Sequence, residues 1–168
     1  MPVVARRRMV FVFACRQPLP RCPLVVDPTG IWWRPEGAVF LTGRSPAEDE
    51  PDPDEPPLTV DEDMFHERIW PVLAARVPAF EAIRLQPSWA GYYEVNVFDH
   101  NGIVGRHPAL SNVVFAAGFS GHGLQHAPAI GRGVAELLVD GAFTSLDLSP
   151  LGWSRVIERR PMWERNVV

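Results

Sequence analysis

Residues 112–141 read NVVFAAGFSGHGLQHAPAIGRGVAELLVDG, a pattern that predicts a strand, a glycine-rich turn and an amphipathic helix. Gly118, Gly121 and Gly123 can adopt dihedral angles that are closed to other residues, so a ligand can approach the backbone there. The spacing i, i+4, i+7, i+8 predicts one buried helix face, made of Ile130, Val134, Leu137 and Leu138. Gly141 predicts the end of the helix. Because a helix start carries unpaired N–H groups and a partial positive charge, we expect an anionic or electron-rich ligand beside the glycines.

The composition indicates one domain without a nucleic-acid-binding face or a membrane span. The chain has 168 residues, 46% of them hydrophobic, which is enough for a domain with a sizeable core. The net charge of −4 argues against phosphate binding, and no apolar run approaches the ~20 residues that cross a bilayer. All sixteen basic residues are arginine. The absence of lysine excludes a P-loop, a pyridoxal Schiff base and a lysine general base.

The N-terminal end leaves alternatives open. Arg6, Arg7 and Arg8 are typical of a mitochondrial targeting segment, but they lead directly into an apolar run that favours a strand, and no clear targeting peptide precedes them. Cys15 and Cys22 are not spaced as C-x-x-C, so the sequence supports neither a redox motif nor half a zinc site. We expect a reduced pair.

The first part of the chain predicts an antiparallel meander followed by a helix. Strands are expected in four apolar runs: residues 9–14, 24–27, 31–34 and 39–42. Residues 47–57 contain only acids, prolines and alanine, which predicts a solvated loop. Thr59 to Glu62 has the T-x-x-E form of a capping box and predicts a helix start at Thr59. Pro71 is expected to kink this helix or to mark its restart. Its buried face is predicted at Phe65, Ile69, Val72 and Leu73.

The rest of the chain predicts a strand, a tight turn and a C-terminal helix. Residues 83–98 alternate loosely and favour a strand, and Asn101 with Gly102 is a strong signal for a turn that folds it back. A short helix is expected from about Pro150. Its apolar face, Trp153, Val156 and Ile157, is expected to pack on the body, with a membrane anchor as the alternative.

Several of these segments together carry a family resemblance. In order, the chain has W-A-G at residues 89–91, a D-H-N-G turn at 99–102, G-F-S-G-H-G-L at 118–124 and A-P-A-I-G at 127–131. This series resembles the D-amino-acid oxidase and sarcosine or glycine oxidase family, whose common form runs W-x-G, a T-P-D-G-type turn, then G-x-S-G-H-G-L with A-P-x-x-G. The turn at 99–102 departs from the family form, so a substrate contact is not carried over to it.

The resemblance implies an α+β fold with a mostly antiparallel substrate-side sheet and a helix. Residues 1–110 would form the substrate-side region, residues 111–141 the strand, turn and helix that close an FAD-binding domain, and residues 142–168 a tail. It also implies noncovalent FAD, with the flavin lying against the backbone of one segment: Gly118, Phe119, Ser120, Gly121, His122, Gly123, Leu124 and Gln125. The implied substrate-side residues are Trp89, Tyr92 and Tyr93.

The family's N-terminal G-x-G-x-x-G, which holds the ADP half of FAD, has no counterpart in this chain. His126 stands where the third glycine would follow Gly121 and Gly123, and Glu136 stands in that place after Gly131 and Gly133. We therefore expect the N-terminal dinucleotide-binding part to be absent, the chain to be a truncated form or isoform, and FAD binding by the chain alone to be weak or missing.

The function implied by the resemblance is hydride transfer from a C–N bond of a small amine or amino acid to flavin. The sequence identifies no catalytic base. A mitochondrial subgroup of the family is similar over the whole chain, which implies a mitochondrial location, in the matrix or at the inner membrane, and partners among respiratory complex I subunits or assembly intermediates. The alternative is a non-catalytic assembly or scaffold protein that lacks FAD binding.

Two other chemistries are disfavoured by spacing. His122 and His126 lie four residues apart, as metal ligands on a helix would, but H-G-L-Q-H lacks the glutamate of H-E-x-x-H. We expect no metal site there and histidines packed near the flavin or in a polar slot. Ser120 is followed by Gly121 and His122, so the G-x-S-x-G elbow of hydrolases is absent.

Overall fold

A computed structural model describes residues 1–47 and 50–165 and divides the chain into two compact units. The sheet unit is Arg6–Tyr92, and the helix unit is Met1–Ala5 with Tyr93–Val168. The strands are β1 (Val3–Cys15), β2 (Val25–Val26), β3 (Ile31–Glu36), β4 (Val39–Arg44), β5 (Ile83–Asn96), β6 (Ile103–Arg106) and β7 (Val114–Ala117). The helices are α1 (Glu62–Met64), α2 (Trp70–Arg76), α3 (Gly123–Val139) and α4 (Ser154–Ile157). The functional division at residues 110 and 141 stays a prediction.

The sheet unit is built on a five-stranded sheet with the order β2-β3-β4-β1-β5. β2 with β3, β3 with β4, and β4 with β1 pair antiparallel, and the register places Trp33 opposite Thr42 and Phe13 opposite Phe40. β2, β3 and β4 follow one another and pair through tight reversals, as the predicted meander requires. The meander is wrong at β1, which pairs with β4 and does not lie next to β2, whereas the mostly antiparallel α+β fold is confirmed.

Phenylalanine rings fill the core of the sheet unit. Phe13 stacks on Phe40 with 5.3 Å between ring centroids, and Phe80 meets both rings edge-on at 5.0 Å. One face of the helical segment covers these rings with Phe65, Ile69 and Leu73, all buried, and with the partly buried Val72. The predicted helix face is thus confirmed. Aromatic rings in offset and edge-on contact add to the stabilisation that burial of their area provides.

The helical segment begins two residues later than the capping box predicts. The N-cap is Asp61, whose carboxylate accepts hydrogen bonds from the amides of Asp63 and Met64. The Thr59 hydroxyl is engaged elsewhere, because it accepts a hydrogen bond from the Arg7 guanidinium at 3.2 Å. The helix start predicted at Thr59 is therefore wrong. The predicted restart near Pro71 is confirmed, since a π-helical turn, Phe65–Ile69, separates α1 from α2 and Pro71 lies in the first turn of α2.

Asp61→Ala is expected to lower the free energy of unfolding by about 1 kcal/mol, the usual cost of losing a carboxylate N-cap. Thr59→Ala is the matched control, because it removes a side-chain oxygen two residues away that caps no helix. Its expected cost is less than half as large. Urea denaturation followed by circular dichroism measures both, and a larger loss for Thr59→Ala would support the capping box instead.

Arginine side chains form ion pairs with carboxylates of the acidic loop, the segment of residues 47–57. The sequence did not predict these ion pairs. Arg8 makes a bidentate pair with Asp52, both N–O distances being 2.9 Å, and Arg6 also pairs with Asp54. Glu50 lies between two further arginines: Arg44 at 2.8 Å and Arg68 at 2.7 Å. The predicted loop is confirmed for residues 47 and 50–57, which form no helix or strand, but ion pairs to arginines hold carboxylates that the sequence predicts to be only solvated. Glu48 and Asp49 lie outside the described residues.

In the helix unit, α3 packs against β6 and the segment that follows α3. Its buried residues Ile130 and Leu137, with the partly buried Val134, confirm the predicted face, and the cluster includes Val104 and Leu148. Leu138 contradicts the prediction, because 59% of its surface is exposed. At about 100° per residue, Leu138 lies about 80° from Ile130, at the edge of the apolar stripe.

The predicted strand and turns of the helix unit are confirmed, with one difference in pairing. β7 covers the end of the apolar run before the glycines, and Gly141 follows α3 with φ +80. Gly102 lies in the turn that ends just before β6. β6 pairs antiparallel with β7 in a two-stranded sheet, instead of folding back on β5.

The C-terminal segment forms two short helical turns, Ser149–Leu151 and α4. The predicted apolar face is wrong at Ile157, which is 61% exposed, whereas the charged Arg155 is buried. Burial of an arginine requires a charged partner, which is identified below. No described helix has the length and apolar character needed to cross a membrane.

The carboxylate of Glu136 on α3 holds the segment that follows the helix. Hydrogen bonds from the Ser145 hydroxyl and from the amides of Thr144 and Ser145 lower the pKa of Glu136 from 4.5 to about 2. The amide distances are 2.8 and 3.1 Å. Because the folded-state pKa is depressed, this stabilisation is complete above about pH 4.5 and is lost as the pH falls towards 2.

Glu136→Gln is therefore expected to flatten the acid limb of the curve of stability against pH between about 4.5 and 2. Denaturant midpoints measured across that range test the expectation. Asp140→Asn is the control, since Asp140 is exposed one residue beyond α3. Parallel acid limbs for wild type and Glu136→Gln would contradict the expectation.

Candidate functional site

The glycine turn between β7 and α3 bends the chain through three residues in the left-handed region. Gly118 has φ +77, Ser120 +50 and Gly121 +94. Two of these positions are glycines, which adopt positive φ without a steric cost. Ser120 is not, so the surrounding structure must stabilise its conformation. The turn therefore has a defined shape that depends on contacts outside it.

Ser120 is fully buried, and its hydroxyl makes those contacts. Its Oγ accepts a hydrogen bond from the backbone N–H of Asn96 at 3.0 Å and lies 3.4 Å from the Gly118 carbonyl oxygen as a donor. Asn96 stands at the end of β5 and is itself fully buried. The turn is thus tied to β5 through one side-chain hydroxyl.

Gly118 lies where no side chain fits. An added Cβ would come within 2.9 Å of Val3 Cγ2 and 3.1 Å of Asn96 Cβ. The next residue, Phe119, donates its amide to Glu94 Oε1 at 3.3 Å. Its ring lies over Gly102, where an added Cβ would meet the ring at 2.4 Å. Close packing therefore explains the glycine at both positions, and positive φ is a second reason at Gly118 alone.

The start of α3 presents backbone donors that no side chain caps. His122 is the N-cap residue and makes no side-chain capping hydrogen bond within the described residues. Gly123, Leu124 and Gln125 form the first turn, whose amides have no intrahelical partner. The helix dipole adds partial positive charge at this end. These amides can donate to an electron-rich group such as a ring carbonyl.

His122 and His126 stack on each other at the start of α3, with 5.8 Å between ring centroids and 20° between planes. His126 also meets Phe119 edge-on at 6.2 Å. Within residues 1–47 and 50–165, no three His, Cys, Asp or Glu side chains form a group that could hold a metal. His122 Nδ1 is buried without a hydrogen-bond partner among those residues.

The three predicted substrate-side residues lie on β5 but in different units. Trp89 and Tyr92 belong to the sheet unit, and both are exposed. The Tyr92 hydroxyl donates to the Pro56 carbonyl oxygen at 2.6 Å, so it has a partner within its own unit. Tyr93 is partly buried and belongs to the helix unit, as do all eight predicted flavin-contacting residues. The substrate role of these three residues stays a prediction.

Sequence reasoning missed a buried ion pair in the helix unit. Arg155 Nε lies 2.7 Å from Asp99 Oδ2, and Arg155 Nη2 lies 3.1 Å from Asp99 Oδ1. Asp99 also accepts from the Asn96 side-chain amide at 2.9 Å and from the Met162 amide at 3.1 Å. The signal in the sequence was weak, because the two charged residues are 56 positions apart and both types are usually exposed.

Opposing effects act on the pKa of Asp99. Burial, the largest single effect, raises it by disfavouring the charged carboxylate. The Arg155 guanidinium and the backbone amides of Met162 and Asn101 together outweigh burial, so the pKa of Asp99 lies below its usual 3.8. Asp99 is therefore ionised at neutral pH and pairs with Arg155 as a full charge.

Comparison with known proteins gives a consistent result. The profile of the family described as "DAO: FAD dependent oxidoreductase" matches residues 1–137. The FAD-dependent oxidoreductase domain-containing protein 1 of Xenopus laevis is 50% identical over 171 residues, which cover 100% of this chain and 34% of the relative. The chain therefore spans about a third of the length of this relative.

Solved structures show the same fold. The L-proline dehydrogenase of P. horikoshii superposes with a TM-score of 0.76 at 26% identity, over 95% of this chain and 42% of that protein. The glycine oxidase of Geobacillus kaustophilus superposes with a TM-score of 0.76 at 22% identity, over 92% and 40%. Because the family profile covers more than half of its 168 residues, the chain belongs to the DAO family of FAD-dependent oxidoreductases.

Proposed function

We propose that this chain supplies the flavin-ring side of a noncovalent FAD site in an oxidoreductase that acts on amines or amino acids. The observation that carries the proposal is the uncapped start of α3 beside the left-handed turn at Gly118 and Gly121. Flavoenzymes need such donors, because negative charge builds on the electron-poor ring as it is reduced. Family membership and the names of the two structural neighbours support FAD and an amino-acid substrate class.

When bound, FAD would accept the hydride that leaves the C–H bond of the amine-bearing carbon, while the C–N bond becomes C=N and the nitrogen loses a proton. The contribution of this chain is binding and charge stabilisation. The amides of Gly123, Leu124 and Gln125 donate to electron-rich ring atoms, and the positive end of the α3 dipole favours the negative charge that develops there.

Noncovalent attachment is part of the proposal. Cys15 and Cys22 are free thiols, and both belong to the sheet unit. Residues 118–125, the proposed contact segment, contain no cysteine that could form a thioether bond to the flavin.

A chimera tests the proposal, in which this chain replaces the 34% of the Xenopus laevis relative that it matches. We expect the purified chimera to carry yellow flavin that trichloroacetic acid releases, as noncovalent FAD is released. The colour should bleach when an amine or amino-acid substrate is added without oxygen. A folded chimera that stays colourless when reconstituted with FAD would contradict the proposal.

A second candidate function is non-catalytic assembly of respiratory complex I. Two neighbouring apolar side chains near the end of α3 favour it, since Leu138 is 59% and Val139 83% exposed. Large exposed apolar groups on one helix are typical of surfaces that bind another protein. The proposed partners are complex I subunits or assembly intermediates, and the proposed location is the mitochondrion, in the matrix or at the inner membrane.

Affinity purification from mitochondria distinguishes the two functions. The assembly function predicts that complex I subunits co-purify with the wild-type chain and are lost with Leu138→Glu, while Ala135→Glu, at an exposed position of the same helix, retains them. Equal recovery with both variants, or no recovery of complex I subunits with the wild-type chain, would contradict the assembly function.

A further inference from the structure

Four buried polar residues form a continuous hydrogen-bonded chain from the C-terminal segment to the glycine turn. Arg155 pairs with Asp99 through both carboxylate oxygens. Asp99 Oδ1 accepts from Asn96 Nδ2 at 2.9 Å, and the Asn96 backbone N–H donates to Ser120 Oγ at 3.0 Å. All four residues are buried and all belong to the helix unit. We call this series the Arg155–Ser120 chain.

Arg155 stands at one end of the Arg155–Ser120 chain, and every nitrogen of its guanidinium group makes a contact that fixes it. Nη2 also donates to the carbonyl oxygens of Asn101 at 3.0 Å and Gly102 at 2.9 Å, and Nη1 donates to that of Leu151. A planar, five-donor group can satisfy a carboxylate and several carbonyls at once, which a lysine ammonium cannot do in the same geometry. The position of Asp99 is therefore determined by a side chain 56 residues away.

Asn96 connects Asp99 to the glycine turn through its hydrogen bonds. Its side chain is held on both sides, since Nδ2 donates to Asp99 Oδ1 and to the Asn101 carbonyl at 2.6 Å, and Oδ1 accepts from the Phe98 amide at 3.0 Å. Its backbone N–H then meets the Ser120 hydroxyl. Because Ser120 has φ +50, a conformation that costs a non-glycine residue free energy, this hydrogen bond stabilises the strained point of the turn.

We propose that Arg155 is a positioning residue for the start of α3. Through Asp99 and Asn96 it holds Ser120 in the left-handed conformation, and this conformation sets the direction in which the amides of residues 123–125 point. The inference rests on the proposed function in one respect, namely that those amides face a flavin. The hydrogen-bonded chain itself does not depend on the flavin, so the two can be tested separately.

Amide hydrogen exchange of the 168-residue chain tests the inference. Arg155→Lys keeps the charge and loses the bidentate geometry, and Ser120→Ala removes the hydroxyl at the other end of the chain. Both are expected to raise the exchange of the hydrogen-bonded amides of His122 and His126 by at least about fivefold, since each leaves buried polar groups without partners beside the turn. The exchange of β3 and β4 in the sheet unit should stay unchanged.

Arg106→Lys is the matched control. Arg106 is another arginine of the helix unit, and its Nη2 donates to the Leu137 carbonyl at 2.6 Å near the end of α3, away from the Arg155–Ser120 chain. It should leave the exchange of the His122 and His126 amides unchanged. Unchanged exchange of these two amides in folded Arg155→Lys or Ser120→Ala would overturn the inference, and so would an equal rise in every segment, which would show general destabilisation.

The chimera with the Xenopus laevis relative separates this inference from the proposed function. If the chimera binds FAD, Arg155→Lys is expected to lower the flavin reduction potential relative to Arg106→Lys, because misdirected amides stabilise the reduced ring less. Equal potentials would overturn the link to the flavin. If the wild-type chimera binds no FAD, the proposed function fails, and the exchange experiment alone decides whether Arg155 positions the turn.

Discussion

Asp99→Ala is expected to lower the free energy of unfolding by about 3 to 5 kcal/mol, the usual cost of leaving one member of a buried ion pair without its partner. Asp99 is fully buried, and its carboxylate meets Arg155 at 2.7 and 3.1 Å. Without it, the guanidinium of Arg155 keeps its carbonyl contacts but has no opposite charge in a site shielded from water. Urea denaturation of the variant measures the loss.

A second substitution shows whether the lost stability comes from the missing carboxylate or from the unpaired charge of Arg155. Arg155→Met in the Asp99→Ala background removes the uncompensated charge, so it is expected to recover part of the lost stability. Asp140→Ala is the control for loss of an aspartate in the same unit, because Asp140 is exposed, and its effect should stay within about 0.5 kcal/mol. If the double variant is less stable than Asp99→Ala alone, the unpaired charge is not the cause.

The sign of the pH dependence follows from the same pair. The folded-state pKa of Asp99 is depressed, so its contribution is complete above its unfolded value, near 3.8, and is lost as the pH falls through the folded value. Asp99→Ala removes this part of the acid sensitivity. Its stability should therefore approach that of the wild type at low pH and differ most at neutral pH.

Gly118→Ala is expected to cost about 2 to 4 kcal/mol of stability, because two penalties add at one position. With φ +77, an alanine is strained, and its Cβ would lie 2.9 Å from Val3 Cγ2 and 3.1 Å from Asn96 Cβ. Relief of that contact must move the end of β5 or the turn itself. In the chimera, Gly118→Ala should also weaken FAD binding, because the turn leads into α3.

Gly131→Ala is the matched control for that substitution. Gly131 lies within α3, its φ is not positive, and an added Cβ would meet nothing within 4 Å. Alanine favours a helix over glycine by roughly 0.8 to 1 kcal/mol, so this variant should be more stable than the wild type. If the denaturation midpoint falls equally for both variants, the loss at Gly118 does not come from its positive φ or its close contacts.

Local pattern was sufficient to predict the elements around the site. The glycines after β7, the apolar spacing of Ile130, Val134 and Leu137, and Gly141 at the helix end all follow from rules that act within one or two turns of chain. The antiparallel pairing of β2, β3 and β4 was predictable for the same reason, since short turns separate these strands, whereas β1 pairs with β4, which lies far from it in the sequence. These are the parts of the fold in which sequence neighbours are also neighbours in space.

The predictions were wrong or incomplete in two situations. In one, two nearby residues were equally suited to the same role, and in the other the interaction partner lay far away in the sequence. Thr59 and Asp61 are both good N-caps, and the choice depended on Arg7, which bonds to the Thr59 hydroxyl. Asp52 and Arg8 stand 44 positions apart, and Asp99 and Arg155 stand 56 apart. The sequence alone does not identify these ion pairs. Aspartate and arginine are usually exposed, so nothing in the sequence indicates that Asp99 and Arg155 are buried.

Amide hydrogen exchange of residues 121–125 in the chimera, with and without bound FAD, tests most directly whether the glycine turn and the start of α3 contact the flavin. If the turn and the first turn of α3 contact the flavin, FAD should slow exchange there by at least about tenfold, because bonded and shielded amides exchange only when the site opens. Exchange of α4 should change much less. If the chimera holds FAD while residues 121–125 exchange at the unliganded rate, these residues do not contact the flavin.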